Sequence, residues 1–525
     1  MPTCDLEKRV YRPRRAQDSP LYKIVLDEIE SLVLQTDESD ERPAANVENS
    51  LRAFLECGIH RFGVVRFGCK KCKTDLFVPF SCKRRLSCPS CDAKRAVAET
   101  SIAMETLLPN VPYRQWVLVI PKRLRYFVHC KPALANELSR ILATTLARYY
   151  EQKAPIGAGK TAPIQMHVIQ RFGSTINLHE HVHSALSDGV FGIVGDRLRF
   201  YPATAPTQEE LMALSRELRR RIVKRMLRLG AIPEETGREI LARKHGGFSL
   251  NGQVRVEAGD RAGLERLLRY FLRPALTLER LSYDPELESV RYRPKKGAPG
   301  FAPVLQWKPL EFLKRFARLI PPPWLHLVRY HGALAPNSPL RQAVTWAARE
   351  KIPYSELVEG VPISGLAGVT AKARRECQKV LSAACRAWAA CLRRVFEINP
   401  LVCPSCGVEM KPLAVIMEDR ELKRLLTHLG LPTEYDRTKP ARSPPLQDRD
   451  RGLESQIDPA ADAFDGRDDQ PADWMQPRRP ARDFLLHSKP SRPPSLAQRP
   501  RSRGRLPWRE RKAGGILVHN RPARI

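Results

Sequence analysis

Residues 177–191 read NLHEHVHSALSDGVF and set His179, His181 and His183 at alternate positions ahead of an Asp188-Gly189 pair expected to form a turn. Alternate side chains of a strand share one face, about 6.6–6.8 Å apart along the backbone. If the stretch is a strand, His181 and His183 can aim at one ion. A single imidazole is most simply a hydrogen-bonded core residue, but a His-apolar-His alternation in a basic protein raises the expectation of a metal pair. Such a site lacks thiolates and suits Mg²⁺ or Mn²⁺, with phosphate oxygens and water completing the shell. The ion would then act on a phosphodiester.

Working outward, QWVLVIP (115–121) and QMHVIQRF (165–172) also read as strands, and PALANELSRILATTLARYYEQ (132–152) reads as the helix that crosses between them. Together they predict a layer of helices on a sheet. The stretch 207–230 opens with a Thr-x-x-Glu capping box, carries Leu211, Leu214, Leu218, Ile222 and Met226 as one apolar stripe, and ends at Gly230. Its opposite face holds Arg219, Arg220, Arg221, Lys224, Arg225 and Arg228, either a solvated surface or a phosphate-contacting one. Near the N-terminus, SPLYKIVLDEIESLVLQ (19–35) has the spacing of a packed helix.

A chain of 525 residues with 42% apolar content has room for several cores, and a net charge of +32 points to a polyanionic partner such as nucleic acid. No apolar run is long enough to span a bilayer and the first residues lack a signal-peptide core, so a cytoplasmic location is expected. Thirteen cysteines in a reducing compartment are then metal ligands or buried apolar residues, not a disulfide framework. Composition divides the chain into an N-terminal helical segment (1–50), a cysteine-rich domain (51–105), a central sheet domain (106–300), a mostly helical region (301–435) and a tail (436–525). Apolar periodicity disappears beyond about 436 and residues 477–525 hold fourteen Lys or Arg against two Asp or Glu, so the whole tail, 436–525, is expected to be disordered and basic.

Six of the thirteen cysteines fall between 57 and 91. The pairs Cys69 with Cys72 and Cys88 with Cys91, separated by fifteen residues, have the spacing of a zinc ribbon in which two knuckles share one tetrahedral Zn²⁺. Cys57, His60 and Cys82 remain as ligands of a second site or as buried residues. Lys83, Arg84 and Arg85 between the knuckles present cations to a nucleic-acid backbone. A further CPSC at Cys403 and Cys406 has no second pair nearby and would need help from elsewhere, for instance His428. Cys377, Cys385 and Cys391, in an Ala-rich helical stretch, read as core.

The blocks RFGSTINLHEHVHSALSDGVF, GGFSLNGQVRVEAGDRAGLERLLRYFLRPALTLERL and LHLVRYHGALAPNSPLR, with the cysteine block and VCPSCGVEMKPLAVI, resemble the rolling-circle transposases of the insertion sequence 91 type. The likeness runs from about residue 10 to about 435 and includes the single-tyrosine common-region relatives. It implies an α+β fold of the HUH class (His-hydrophobic-His, here His181, Val182 and His183): a small antiparallel sheet with flanking helices, carrying a divalent cation beside a tyrosine nucleophile. It also implies a nucleoid-associated bacterial protein that nicks and rejoins single-stranded transposon ends through a 5′-phosphotyrosine.

The residue matching the family's nucleophile is Tyr270 in ERLLRYFLRPAL, on a stretch that Asp260 can cap, that Leu264, Leu267, Leu268 and Phe271 make amphipathic, and that Pro274 ends. Two-tyrosine members carry a second tyrosine four residues earlier, where this chain has Arg266. Arg266, Arg269 and Arg273 are expected to surround the phenol with positive charge, which a nucleophile of pKa near 10 needs. For a third ligand of the catalytic ion His179 competes with Gln170 and is slightly favoured. Two rival readings stay open: a zinc-dependent DNA-binding protein with a decayed nuclease site, and a metal-dependent hydrolase that uses water.

Overall fold

The computed structural model describes residues 16–34, 43–243, 246–294, 304–363 and 400–441. All of them belong to one unit, Met1–Met475, and the second unit, Gln476–Ile525, lies outside the described residues. So do Cys377, Cys385, Cys391 and the tail beyond 441.

The chain begins with α1 (Pro20–Leu34) and α2 (Ala45–Leu55), then a hairpin of β1 (Val64–Cys69) and β2 (Asp75–Pro79), then α3 (Pro89–Ile102). Next come β3 (Tyr113–Val119), α4 (Lys122–Cys130), α5 (Ala133–Gln152), β4 (Thr161–Ala162), β5 (Ile164–Phe172), β6 (Leu178–Ser187), β7 (Gly189–Val194) and β8 (Arg197–Pro202). Helices α6 (Gln208–Arg228) and α7 (Glu234–Ala242) precede β9 (Ser249–Asn251), β10 (Arg255–Val256) and α8 (Arg261–Phe271). The remainder comprises β11 (Leu281–Asp284), β12 (Ser289–Tyr292), β13 (Leu305–Trp307), α9 (Pro309–Leu319), β14 (Val328–Gly332), α10 (Arg341–Arg349), α11 (Tyr354–Glu359), β15 (Val361–Pro362), β16 (Met410–Ile416) and α12 (Asp419–His428).

The central antiparallel sheet has the order β10-β3-β6-β5-β14, with β9 also on β3. The α+β expectation is met, with strands where the histidine stretch and its neighbours predicted them. Because β6 alternates, Val182 and Leu186 enter the core under α5 and α6, beside Trp116, Leu118, Leu142, Leu218 and Ile222. Ala185 faces the other way, into a core with Met166, Val168 and the Leu264, Leu267, Leu268 and Phe271 stripe of α8. The two histidines share that second face, which places them under α8.

Helix α6 starts with the capping box expected of it: Thr207 Oγ1 accepts from the Glu210 amide, and the Glu210 carboxylate accepts from the Thr207 amide. Its basic face is largely committed to protein partners. Arg221 donates to Thr144 and Thr145 and Arg225 pairs with Glu137, all on α5, while Arg220 pairs with Glu217.

Asp188 and Gly189 do not make a hairpin turn. They form a bend through which β6 passes from the central sheet into the smaller sheet β15-β8-β7-β4. The bend is fixed by a buried carboxylate: Asp188 accepts two hydrogen bonds from Arg114 at 2.8 Å, one from Arg255 at 2.7 Å and one from Tyr150 at 3.0 Å. Glycine is required beside it, since a Cβ at Gly189 would lie 2.2 Å from the Tyr201 carbonyl oxygen.

Beyond residue 300 the described residues hold both helices (α9 to α12) and strands (β13 to β16). β14 forms an edge of the central sheet and β16 pairs with β1 of the cysteine module, so two strands return to units begun far upstream.

Candidate functional site

On the α8 face of the sheet, His181 and His183 are 4% and 0% exposed, with ring centroids 4.8 Å apart. His183 stacks on Phe271 (4.9 Å, 21°) and meets Tyr270 edge-on at 5.6 Å. Neither nitrogen of His183 has a hydrogen-bond partner. Burial holds His183 neutral, well below the ordinary histidine range, as it does His179. His181 Nδ1 lies 2.7 Å from the His179 carbonyl oxygen, so Nδ1 carries the proton of that hydrogen bond.

The residue opposite His181 on β5 is Gln170. Its amide nitrogen donates to the carbonyls of Phe271 (2.6 Å) and Tyr270 (3.3 Å), satisfying backbone acceptors that the end of α8 leaves open. Its Oε1 is buried without a partner, and so is Nε2 of His179. Buried polar atoms are ordinarily paired, so unpaired atoms on Gln170, His179 and His183 in one neighbourhood fit a cation-binding site. The three imidazoles do not converge, however. Among the described residues, the groups of three or more His, Cys, Asp or Glu ligand atoms lying within 4.8 Å of one another are two cysteine clusters. The expected triad of His179, His181 and His183 is therefore not assembled as one converging set; the rings are neighbours pairwise, His179 with His181 at 4.9 Å and His181 with His183 at 4.8 Å.

Helix α8 is built as its sequence implied: Asp260 accepts from the Gly263 amide at 2.8 Å, and the helix ends at Phe271. Of the three arginines expected around Tyr270, Arg273 lies over the phenol ring at 5.1 Å. Arg269 is tied to Glu265 at 2.7 Å, and Arg266 is 4.0 Å from Asp260 and half exposed. The positive charge at the tyrosine thus comes from past the helix end, where the chain turns at Pro274. Sequence reasoning missed Phe271, whose place in the apolar stripe marked it only as core.

The cysteines are grouped differently from the ribbon expectation. Cys88 and Cys91 join Cys57 and Cys82, with sulfurs 3.5–3.6 Å apart, while Cys69 and Cys72 join Cys403 and Cys406 at 3.3–3.5 Å. The reason is local structure. The first knuckle closes the β1-β2 hairpin, and the second caps α3, facing the end of α2 and the loop after β2. A tetrahedral zinc with bonds of about 2.3 Å spreads its sulfurs about 3.8 Å apart, so both clusters fit the ion. His60 and His428 belong to neither cluster. Hydrogen bonds from the Thr74 hydroxyl and amide and from Cys403 bring the Cys72 thiol down to about 6. Between the knuckles Lys83 and Arg84 are exposed, whereas Arg85 donates to the carbonyls of Pro322, Pro323 and Leu325. Arg85 is spent on docking this module, not held out to DNA.

Two family models match. One is described as "Transposase zinc-binding domain", of the insertion sequence 91 type, over residues 28–120; the other as "Putative transposase", over residues 165–341. The two matches support an insertion sequence 91 type transposase. In this transposase the first match spans Cys57, Cys69, Cys72, Cys82, Cys88 and Cys91 but stops well short of Cys403 and Cys406. The second spans β5, β6 and α8, and with them Gln170, the histidines and Tyr270. No curated protein and no solved structure was found to match the transposase. Among its described residues no helix is long and apolar enough to cross a membrane.

Proposed function

We propose that this transposase nicks and rejoins single-stranded DNA by transesterification at Tyr270. The observation that carries the reading is the imidazole of His183, buried without a partner at either nitrogen and set edge-on to the Tyr270 ring. His181 and His183 would hold a divalent cation, Mg²⁺ or Mn²⁺, which when bound supplies Lewis acidity at a phosphate oxygen. Gln170 fixes the end of α8, and so the position of Tyr270, through two carbonyls. Arg273 lies over the phenol ring and supplies positive charge where an oxyanion develops.

In the step itself the phenol gives up its proton as its oxygen bonds to phosphorus, the bond from phosphorus to the 3′-oxygen breaks, and the departing 3′-oxygen takes up a proton in its place. The products are a 5′-phosphotyrosine and a free 3′-hydroxyl. A 3′-hydroxyl from another strand reverses the step without ATP, since the phosphoester bond is conserved.

A groove of about 810 Å³ suits the strand. Its lining includes Val119, the residue opposite His181 on β3, with Lys122, Arg123, Arg243, Asn251 and Gln253. Cations there can follow phosphates and the amides can meet base edges.

The test is incubation with a single-stranded oligonucleotide carrying a transposon-end hairpin and Mn²⁺, followed by mass spectrometry of tryptic peptides. A nucleotide on the peptide containing Tyr270 is expected. Cleavage to a free 5′-phosphate with no protein adduct would favour water as nucleophile and defeat the proposal.

A further inference from the structure

We infer that Cys69, Cys72, Cys403 and Cys406 hold a zinc ion of their own, separate from that of Cys57, Cys82, Cys88 and Cys91, and that this ion fastens residues 400–441 onto the N-terminal module. The inference is independent of the tyrosine chemistry.

Both halves of the ligand set are Cys-x-x-Cys knuckles at tight turns. Cys69 and Cys72 bracket the β1-β2 turn, where the Lys73 amide donates to the Cys69 carbonyl at 3.1 Å. Cys403 and Cys406 bracket a matching turn, where the Gly407 amide donates to the Cys403 carbonyl at 2.9 Å and Gly407 adopts φ +71°. The turns meet face to face, with Cys69 to Cys406 at 3.5 Å and Cys72 to Cys403 at 3.3 Å. All four thiols are free cysteines, so no disulfide competes for them.

Without an ion, the segment has little apolar burial to hold it. The local core is Phe67, Cys69, Cys403 and Met410, and Met410 is the one buried residue of β16. Leu413, Val415 and Met417 are more than half exposed. Helix α12 buries Leu422 and Leu426 only. The remaining ties are the β1-β16 ladder, the Phe62 ring against Tyr435 at 4.9 Å, and polar contacts: Arg61 with Asp419 and the Thr433 carbonyl, Lys439 with Asp27 at 2.8 Å, and Thr438 with Glu30 at 2.9 Å. A module with so small an apolar core needs a staple, and four converging thiolates supply one.

The two ions would differ in access. Three cysteines of the first cluster are buried and the fourth is partly so, whereas Cys72 is exposed and Cys406 partly exposed. The second ion should therefore leave first.

The experiment is zinc counting by elemental mass spectrometry on the full chain in reducing buffer, with hydrogen exchange read before and after mild chelation. Two zincs per chain are expected, and one in the Cys403→Ser/Cys406→Ser double variant. Chelation of the wild type to one zinc should strip protection from amides of residues 410–416 while residues 181–187 keep theirs. This arm needs no variant to fold. One zinc in the wild type, two in the double variant, or unchanged protection of 410–416 after loss of one ion would each overturn the inference.

Discussion

The His183 ring lies nearly parallel to that of Phe271, 4.9 Å away, with both of its nitrogens buried and unbonded. An imidazole kept only for packing would be a poor choice here, because each unsatisfied buried polar group costs about 1–3 kcal/mol. Replacing His183 with Leu should therefore leave the metal-free protein as stable or more stable in urea unfolding. It should also abolish cleavage and remove the stabilisation that Mn²⁺ gives the wild type. A variant that unfolds more easily and still cleaves would mark His183 as a core residue.

Tyr270→Phe keeps the ring against His183 and Arg273 and removes only the hydroxyl proposed to attack. The covalent adduct should vanish while zinc content and thermal midpoint stay within the loss of one hydroxyl contact, on the order of 1 kcal/mol. Tyr330→Phe and Tyr292→Phe are the controls. Both tyrosines lie on strands, β14 and β12, and burial raises both phenols, Tyr330 to about 12. An adduct that depends on Tyr330 instead would move the nucleophile to the sheet edge.

The first cysteine cluster sits inside a core that includes Phe54, Leu86 and Phe316. Cys57→Ser and Cys82→Ser should consequently behave like Cys88→Ser, losing one zinc and the cooperative unfolding of the N-terminal module. His60→Ala should keep its zinc. Elemental analysis alongside circular dichroism separates the cases.

Acid should weaken the other face of the sheet. The Gln165 amide nitrogen donates to the Ala143 carbonyl, so its oxygen accepts from His167 Nε2. His167 Nδ1 must then accept from Ser139, whose hydroxyl in turn accepts from His331 Nε2. The chain requires a neutral His167, whose Nδ1 accepts, whereas His331 is kept neutral by its burial. Burial, with Arg329 nearby, lowers His331 to about 4, against an ordinary value near 6.5. Since the folded state takes up protons less readily, its stability is full above pH 6.5 and is lost as the pH falls from 6.5 to about 4. The expected slope is on the order of 1 kcal/mol per pH unit per histidine. It should be shallower in His331→Asn, measured by urea titrations across that range. An identical slope in the variant would assign the acid sensitivity to other groups.

Much of this was legible in the sequence because it is local. Alternation along 178–187 gave the strand and its two faces, Thr207 and Glu210 gave a helix start, and Asp260 through Phe271 gave the helix that bears Tyr270. What the chain did not reveal was which loops meet. Cys69 and Cys72 look like natural partners of Cys88 and Cys91 because they are near in sequence, yet β16 arrives from beyond residue 400 to claim them. Likewise Arg85 reads as a free cation until the prolines at 321–323 are seen to present their carbonyls to it. Asp188 reads as a turn residue until Arg114 and Arg255 close on it.

The separation of 331 residues between Cys72 and Cys403 also sets an order of events at the ribosome. At about 5–20 residues per second, the hairpin thiols emerge roughly 15–70 s before their partners exist. During that interval the nascent chain carries Cys69 and Cys72 as an open dithiol, available to oxidants and to adventitious metal, while the cluster around Cys57 is already complete by residue 91. Interrupted translation or a premature stop anywhere before residue 403 leaves that dithiol bare. A truncated copy of the gene should therefore yield a protein marked for oxidation and proteolysis even where its central sheet is intact.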